Sequence, residues 1–166
     1  MQKNNKTNFI CFIILIIILS LFAFVYSCEK KEPAVQPEPD EIMKKITDAI
    51  KDLPGGKSIE LSETNANELY ASDKNKPADL SKIEKSSVIK ATGSSAEEIG
   101  IFKLYDKNNT EYVKQMAQTR ISKMQESNIK TFNDAEIRSY GNYVYYASHP
   151  QKDKIFKIIE DTLRGA

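Results

Sequence analysis

Apolar positions along this chain follow three different rules in turn. From Phe9 to Tyr26 the run FICFIILIIILSLFAFVY is apolar without a period, and only Cys11 and Ser20 interrupt it. From Asp40 the spacing becomes helical. In DEIMKKITDAIKDLPGG, Ile42, Ile46, Ala49, Ile50 and Leu53 share one face, with Asp40 placed to cap the start and Pro54-Gly55-Gly56 to stop the helix. LSETNANELY carries a weaker helical signal ending at Leu69 and Tyr70, and ASDKNKPAD reads as a loop.

The period then changes to two. KIEKSSVIKATG and EEIGIFKLYD are β-branched or aromatic runs joined through Gly93-Ser94-Ser95, which predicts a hairpin. The second run is apolar on both faces, with Ile99, Ile101 and Tyr105 on one and Phe102 and Leu104 on the other. A helix follows over NTEYVKQMAQTRISKMQES, burying Val113, Met116, Ala117, Ile121 and Met124, with Asn108 and Glu111 at capping-box spacing. AEIRSYGNYVYYAS predicts a second hairpin around Gly141-Asn142, glycine first as in a type II′ turn. Pro150 opens a last helix with Ile155, Phe156, Ile159 and Leu163 inward and Gly165 after its end. The order implies an α+β fold: a mostly antiparallel four-stranded sheet from two hairpin-plus-helix units, preceded by an N-terminal helical segment.

The first regime is a targeting segment. Lys3 and Lys6 lie in a polar start, and no acidic residue occurs before Glu29. A basic start, an apolar core and a small residue before a cut site describe a secretory signal. The run also approaches the ~20 residues that span a bilayer, so an uncleaved membrane anchor is the alternative. Val25-Tyr26-Ser27-Cys28 resembles the lipobox of bacterial lipoprotein precursors. That resemblance implies diacylglycerol on the Cys28 sulfur and cleavage before it. The expected organisation is a signal over 1–27, a lipidated cysteine and tether over 28–39, and one globular domain over 40–166. Pro33, Pro37 and Pro39 keep the tether extended, with a reach of at most ~40 Å. Either anchor places the domain on the outer face of the bacterial cytoplasmic membrane, with the membrane itself as the first partner.

Charge and cysteine content narrow the classes. The net charge is +1, and removal of residues 1–27 with Lys3 and Lys6 leaves 22 basic against 23 acidic residues. Nucleic acid as a partner requires a concentrated basic patch, so none is expected. The two cysteines are Cys11 and Cys28, so the exported domain has neither disulfide nor thiol chemistry.

Candidate chemistry is sparse. His149 is the only histidine and reads as an exposed loop residue rather than a base or ligand. GKS at 56–58 lacks the first glycine of a phosphate loop, since Lys51 stands there. Glu97, Glu98 and Asp106 read as turn and cap residues, and no metal or other cofactor is expected. The second hairpin is more specific. Around Gly141-Asn142, Tyr140 opposes Tyr143, Arg138 opposes Tyr145 and Glu136 opposes Ala147, all on one face. Ala135, Ile137, Val144 and Tyr146 form the other, natural core face. Arg138, Tyr140, Tyr143 and Tyr145 are therefore the candidate partner-binding face, because Tyr and Arg dominate binding hot spots. The alternative is packing alone, with helices covering both faces of the sheet.

EEIGIFKLYD, the helix after it and AEIRSYGNYVYYASHP resemble an uncharacterised domain of lipoproteins from clostridia and related Firmicutes, most specifically at Gly141, Asn142, Tyr143, Val144 and Tyr146. The resemblance covers roughly residues 40–164 and implies the fold extent and the location, with no activity attached. The function expected is a lipid-anchored, non-catalytic domain that meets an envelope protein or cell-wall partner. The alternatives are an envelope enzyme built from carboxylates and tyrosines, and a self-associating subunit.

Overall fold

The computed structural model describes residues 36–51, 53, 57–73, 76–90, 96–126 and 134–165. The chain divides into units 1–34 and 35–166, and all described residues belong to the second. Cys28, the signal, Pro54-Gly55-Gly56 and Gly93-Ser94-Ser95 lie outside the described residues.

Helix α1 spans Pro39–Ala49. Its N-cap is Glu38, not Asp40: the Glu41 carboxylate accepts from the Glu38 backbone N–H at 3.2 Å. Pro39, assigned above to the tether, is the first helical residue, where its fixed φ fits and its missing N–H costs nothing. Ile42, Met43 and Ile46 are buried, while Ala49 is exposed at the helix end and Ile50 is extended. Helix α2, Glu63–Tyr70, is capped by Ser62, whose N–H donates to Asn65 Oδ1 at 2.7 Å.

Strands β1, Ile83–Ile89, and β2, Glu98–Leu104, form the first hairpin pair. All seven residues of β2 are buried, as an apolar run on two faces requires. Tyr105 lies beyond the strand end and is 67% exposed rather than continuing the inward row. Helix α3, Thr110–Glu126, buries the five expected residues. The cap before it is Asp106, which accepts from Asn108 N at 2.8 Å and folds residues 107–109 into a 3-10 turn. Asn108 is itself inside that turn, so the expected Asn108–Glu111 box does not form; Glu111 pairs with Lys114.

Strands β3, Ala135–Tyr140, and β4, Tyr143–Ser148, pair in the expected register. Gly141 sits at φ 57°, the left-handed conformation that this two-residue turn demands. Helix α4 spans Lys152–Arg164 and ends on Gly165 at φ 77°. Pro150 stands in the turn two residues before it.

The sheet order is β1-β2-β4-β3, antiparallel throughout. α3 carries the chain from β2 over to the far edge, and β4 returns between them. The β1 edge is partly closed by Ile59, which exchanges backbone hydrogen bonds with Val88 at 2.8 and 2.9 Å. Two apolar clusters result. α1 and α4 pack Ile42, Ile46, Ile155, Phe156 and Ile159 against Ile99, Ile101, Tyr143 and Tyr145. α2 and α3 pack Leu69, Tyr70, Val113, Met116 and Ile121 against Phe102, Leu104, Val144 and Tyr146.

Candidate functional site

The Tyr–Arg face of the second hairpin forms as the register requires, and helices cover most of it. Tyr143 and Tyr145 are 2% and 1% exposed beneath α1 and α4. As an open partner-binding face this prediction is corrected, for a simple reason. α1 and α4 carry strong apolar stripes, α2 and α3 fill the other face of the sheet, and the tyrosine face is the one against which α1 and α4 pack. The tyrosine rings serve as core and their hydroxyls reach the rim. Tyr143 Oη donates to the Pro37 carbonyl at 2.6 Å, and Tyr145 Oη donates to Glu160 at 3.3 Å. Burial pushes the Tyr143 phenol up to about 12, and burial followed by Glu160 raises that of Tyr145.

Arg138 closes this rim. Its Nε donates to Glu136 at 2.7 Å and its Nη1 to Glu160 at 3.2 Å, while the guanidinium lies 4.3 Å from the Phe156 ring centre. Tyr140 is 37% exposed, with the Arg164 guanidinium 5.8 Å from its ring. Of the four predicted residues, Arg138 and Tyr140 reach the surface. Tyr143 and Tyr145 do not.

The densest polar chemistry lies on the opposite face and involves residues that sequence reasoning did not bring together. Glu98 is not a turn residue. It opens β2, is fully buried, and holds Arg120 of α3 through Nε at 2.8 Å and Nη2 at 2.6 Å. Tyr146 Oη donates to Glu98 Oε1 at 2.5 Å. The Tyr146 proton is thereby committed, so Tyr70 Oη donates to Tyr146 Oη at 2.8 Å. The result is a chain Tyr70–Tyr146–Glu98–Arg120 joining α2, β4, β2 and α3. Burial, with Glu98 nearby, raises both phenols well above their usual value. Burial opposes the Arg120 charge, and the Glu98 contacts outweigh it and raise the guanidinium. Tyrosines held protonated this strongly are hydrogen-bond donors, not bases.

The sequence does hold a signal for this network, in Gly100. Gly100 faces Tyr146 across the ladder, and a Cβ there would overlap Cε1 of the Tyr146 ring and lie 2.8 Å from its Cζ. The missing side chain lets the ring lie flat across β2, so that its hydroxyl reaches Glu98 two residues away. Phe102 stacks on the same ring at 6.1 Å between centres.

The surface above this network is recessed. A cleft of about 250 Å³ between α2 and α3 is lined by Tyr70, Pro77, Ala78, Tyr112, Met116 and Thr119. Around Ser72 and Pro77 it meets a second, of about 500 Å³, lined by Asn67, Glu68, Asp73 and Lys123. The Tyr112 hydroxyl accepts from Asp79 N at 2.7 Å and holds the loop that forms the cleft's wall. His149 is 3% exposed rather than a surface loop residue, and its Nδ1 accepts from Gln151 N at 3.0 Å at the start of α4. Among the described residues no group of three or more His, Cys, Asp or Glu is arranged to hold a metal ion. Compared with known proteins, the chain matches no family model, no curated protein and no solved structure.

Proposed function

We propose that this chain is a lipid-anchored domain on the outer face of a bacterial cytoplasmic membrane, and that it acts by binding a partner rather than by catalysis. The observation that carries the proposal is Val25-Tyr26-Ser27-Cys28, directly after the apolar run Phe9–Tyr26 and before a proline-containing tether. The tether's end supports it. Tyr143 holds the Pro37 carbonyl and Lys103 holds Glu38 at 2.8 Å, so the chain leaves the domain from a fixed point. Among the described residues no helix is long and apolar enough to cross a membrane, and the run Phe9–Tyr26 lies outside them.

The recess between α2 and α3 is the proposed binding surface. Its larger part, of about 500 Å³, falls within the ~300–1,000 Å³ of ordinary ligand sites, and the recess combines Tyr70, Tyr112 and Met116 with Asn67, Glu68 and Lys123. An extracytoplasmic protein segment or wall polymer with apolar and polar groups suits that lining.

Two measurements test this. The intact mass of the protein from native membranes is expected to show loss of Met1–Ser27 and a diacylglycerol adduct; retention of Met1 replaces the lipid anchor with a membrane-spanning one. A photo-reactive residue at Gln115, on the recess, is expected to give a discrete adduct in the native cell that the same group at Lys157 on α4 does not. Identical adducts from both positions, or none from Gln115, remove the recess as the binding surface.

A further inference from the structure

The two exposed large hydrophobic residues among those described are Tyr105 and Tyr140, at 67% and 37% exposure. Both lie at one end of the sheet. Tyr105 follows the last residue of β2, Tyr140 precedes the β3–β4 turn, and Asn142 in that turn joins the two strand ends through Leu104. Leu104 N donates to Asn142 O at 2.8 Å, and Asn142 Nδ2 donates to Leu104 O at 3.1 Å. The tether leaves the domain at the same end, because Tyr143 and Lys103, the pair nearest the turn in that ladder, hold Pro37 and Glu38.

We propose that this end of the domain rests on the bilayer that carries the anchor, with Tyr105 and Tyr140 in the headgroup region. The proposal builds on the anchored reading above and holds for either form of anchor. Tyrosine suits this place because its ring is apolar and its hydroxyl prefers water, the pairing found in membrane-interface belts. Two such side chains would not hold a free protein on a membrane, but the tether changes the concentration they experience. From Cys28 to Pro37 a chain of this length spans at most ~30 Å. A second weak contact then acts at high effective concentration. Part of the negative charge at this end is neutralised internally. Asp79 is tied to Lys82 at 3.3 Å, Asp106 caps its own turn, and Glu38 and Glu84 both pair with Lys103. These four acidic groups are engaged within the protein, and Lys107 is exposed toward anionic headgroups, while Asp40 and Glu41 in the first turn of α1 are exposed as well.

The chain contains no tryptophan, so a single introduced one reports its own surroundings. The full-length protein with its native anchor is reconstituted in phosphatidylcholine–phosphatidylglycerol vesicles, with or without bromine on the acyl chains. Tyr105→Trp is the reporter, Lys107→Trp a second reporter at the same end, and Gln151→Trp the control at the far end of the sheet. Vesicle flotation is read on the same samples. The expected result is co-flotation, blue-shifted emission and loss of emission to brominated lipid for Tyr105→Trp and Lys107→Trp, with neither change for Gln151→Trp. Co-flotation with equal quenching at both ends overturns the docking proposal and leaves the anchored reading intact. Failure to float overturns both.

Discussion

The two faces of the β3–β4 hairpin use the same side chain in different ways. On the α1–α4 face, Tyr143 and Tyr145 bury their rings and send their hydroxyls to the rim, to the Pro37 carbonyl and the partly exposed Glu160–Arg138 pair. On the α2–α3 face, Tyr146 sends its hydroxyl inward to a fully buried carboxylate whose charge Arg120 balances. A rim hydroxyl that loses its partner finds water. An inward one does not, and its loss leaves neighbouring polar atoms stranded. Position relative to the helices, rather than residue type, decides how much a tyrosine hydroxyl matters.

The largest effect that would test this contrast is at the ion pair. Arg120→Leu leaves Glu98 buried without its cation and is expected to cost about 3–5 kcal/mol in urea unfolding. Arg138→Leu, on the wetter face, is expected to cost less than about 1 kcal/mol, because exposed pairs contribute little. Equal losses would erase the distinction between the faces.

Gly100→Ala comes next. The added methyl meets the Tyr146 ring, and overpacking of this kind costs about 1–3 kcal/mol. A double-mutant cycle with Tyr146→Ala is expected to show coupling, since removing the ring removes the clash. Additive losses would mean that the backbone, not the ring, requires glycine at this position.

The hydroxyls alone sharpen the comparison further. Tyr146→Phe is expected to cost about 1–3 kcal/mol, because Glu98 loses a donor and Tyr70 loses its acceptor inside the core. Tyr145→Phe removes one bond of 3.3 Å at the rim and is expected to cost about 0.5–1.5 kcal/mol at most.

A further test lies in alkaline pH. Tyr70, Tyr143, Tyr145 and Tyr146 all have raised phenols, and Lys103 is raised by Glu38 and Glu84 against the opposing effect of burial. A group raised in the folded state contributes stability that is complete below its unfolded value and fades as pH climbs toward the folded one. The urea midpoint is therefore expected to fall as pH rises above about 10, where free phenols ionise. Tyrosinate absorbance from these four residues is expected to appear together with the loss of helical circular dichroism. Ionisation of all four before the helices melt would contradict their burial.

Much of this architecture could be read directly from the chain. The 3.6-residue spacing of Val113, Met116, Ala117, Ile121 and Met124 fixed the buried side of α3. Gly141-Asn142 fixed the register of β3 on β4, because a two-residue turn admits one pairing and side chains alternate. Both are local properties in which neighbours in sequence are neighbours in space. Helix starts were less legible, since Glu38 and Asp106 compete as caps with Asp40 and Asn108 within a residue or two. Three decisions were left to the tertiary structure. Alternation sorts Tyr143 and Tyr145 onto one face without saying which helices cover it, and the amphipathic stripes of α1 and α4 settled that by burying themselves there. Glu98 looks like any acid beside a loop until the β2–β4 pairing and the position of α3 bring Tyr146 and Arg120 to it. Tyr105 and Tyr140, 35 residues apart in the chain, lie at one end of the sheet only because β4 returns beside β2. Contacts of this kind depend on the free energy of the whole packed assembly, which no single window of sequence contains.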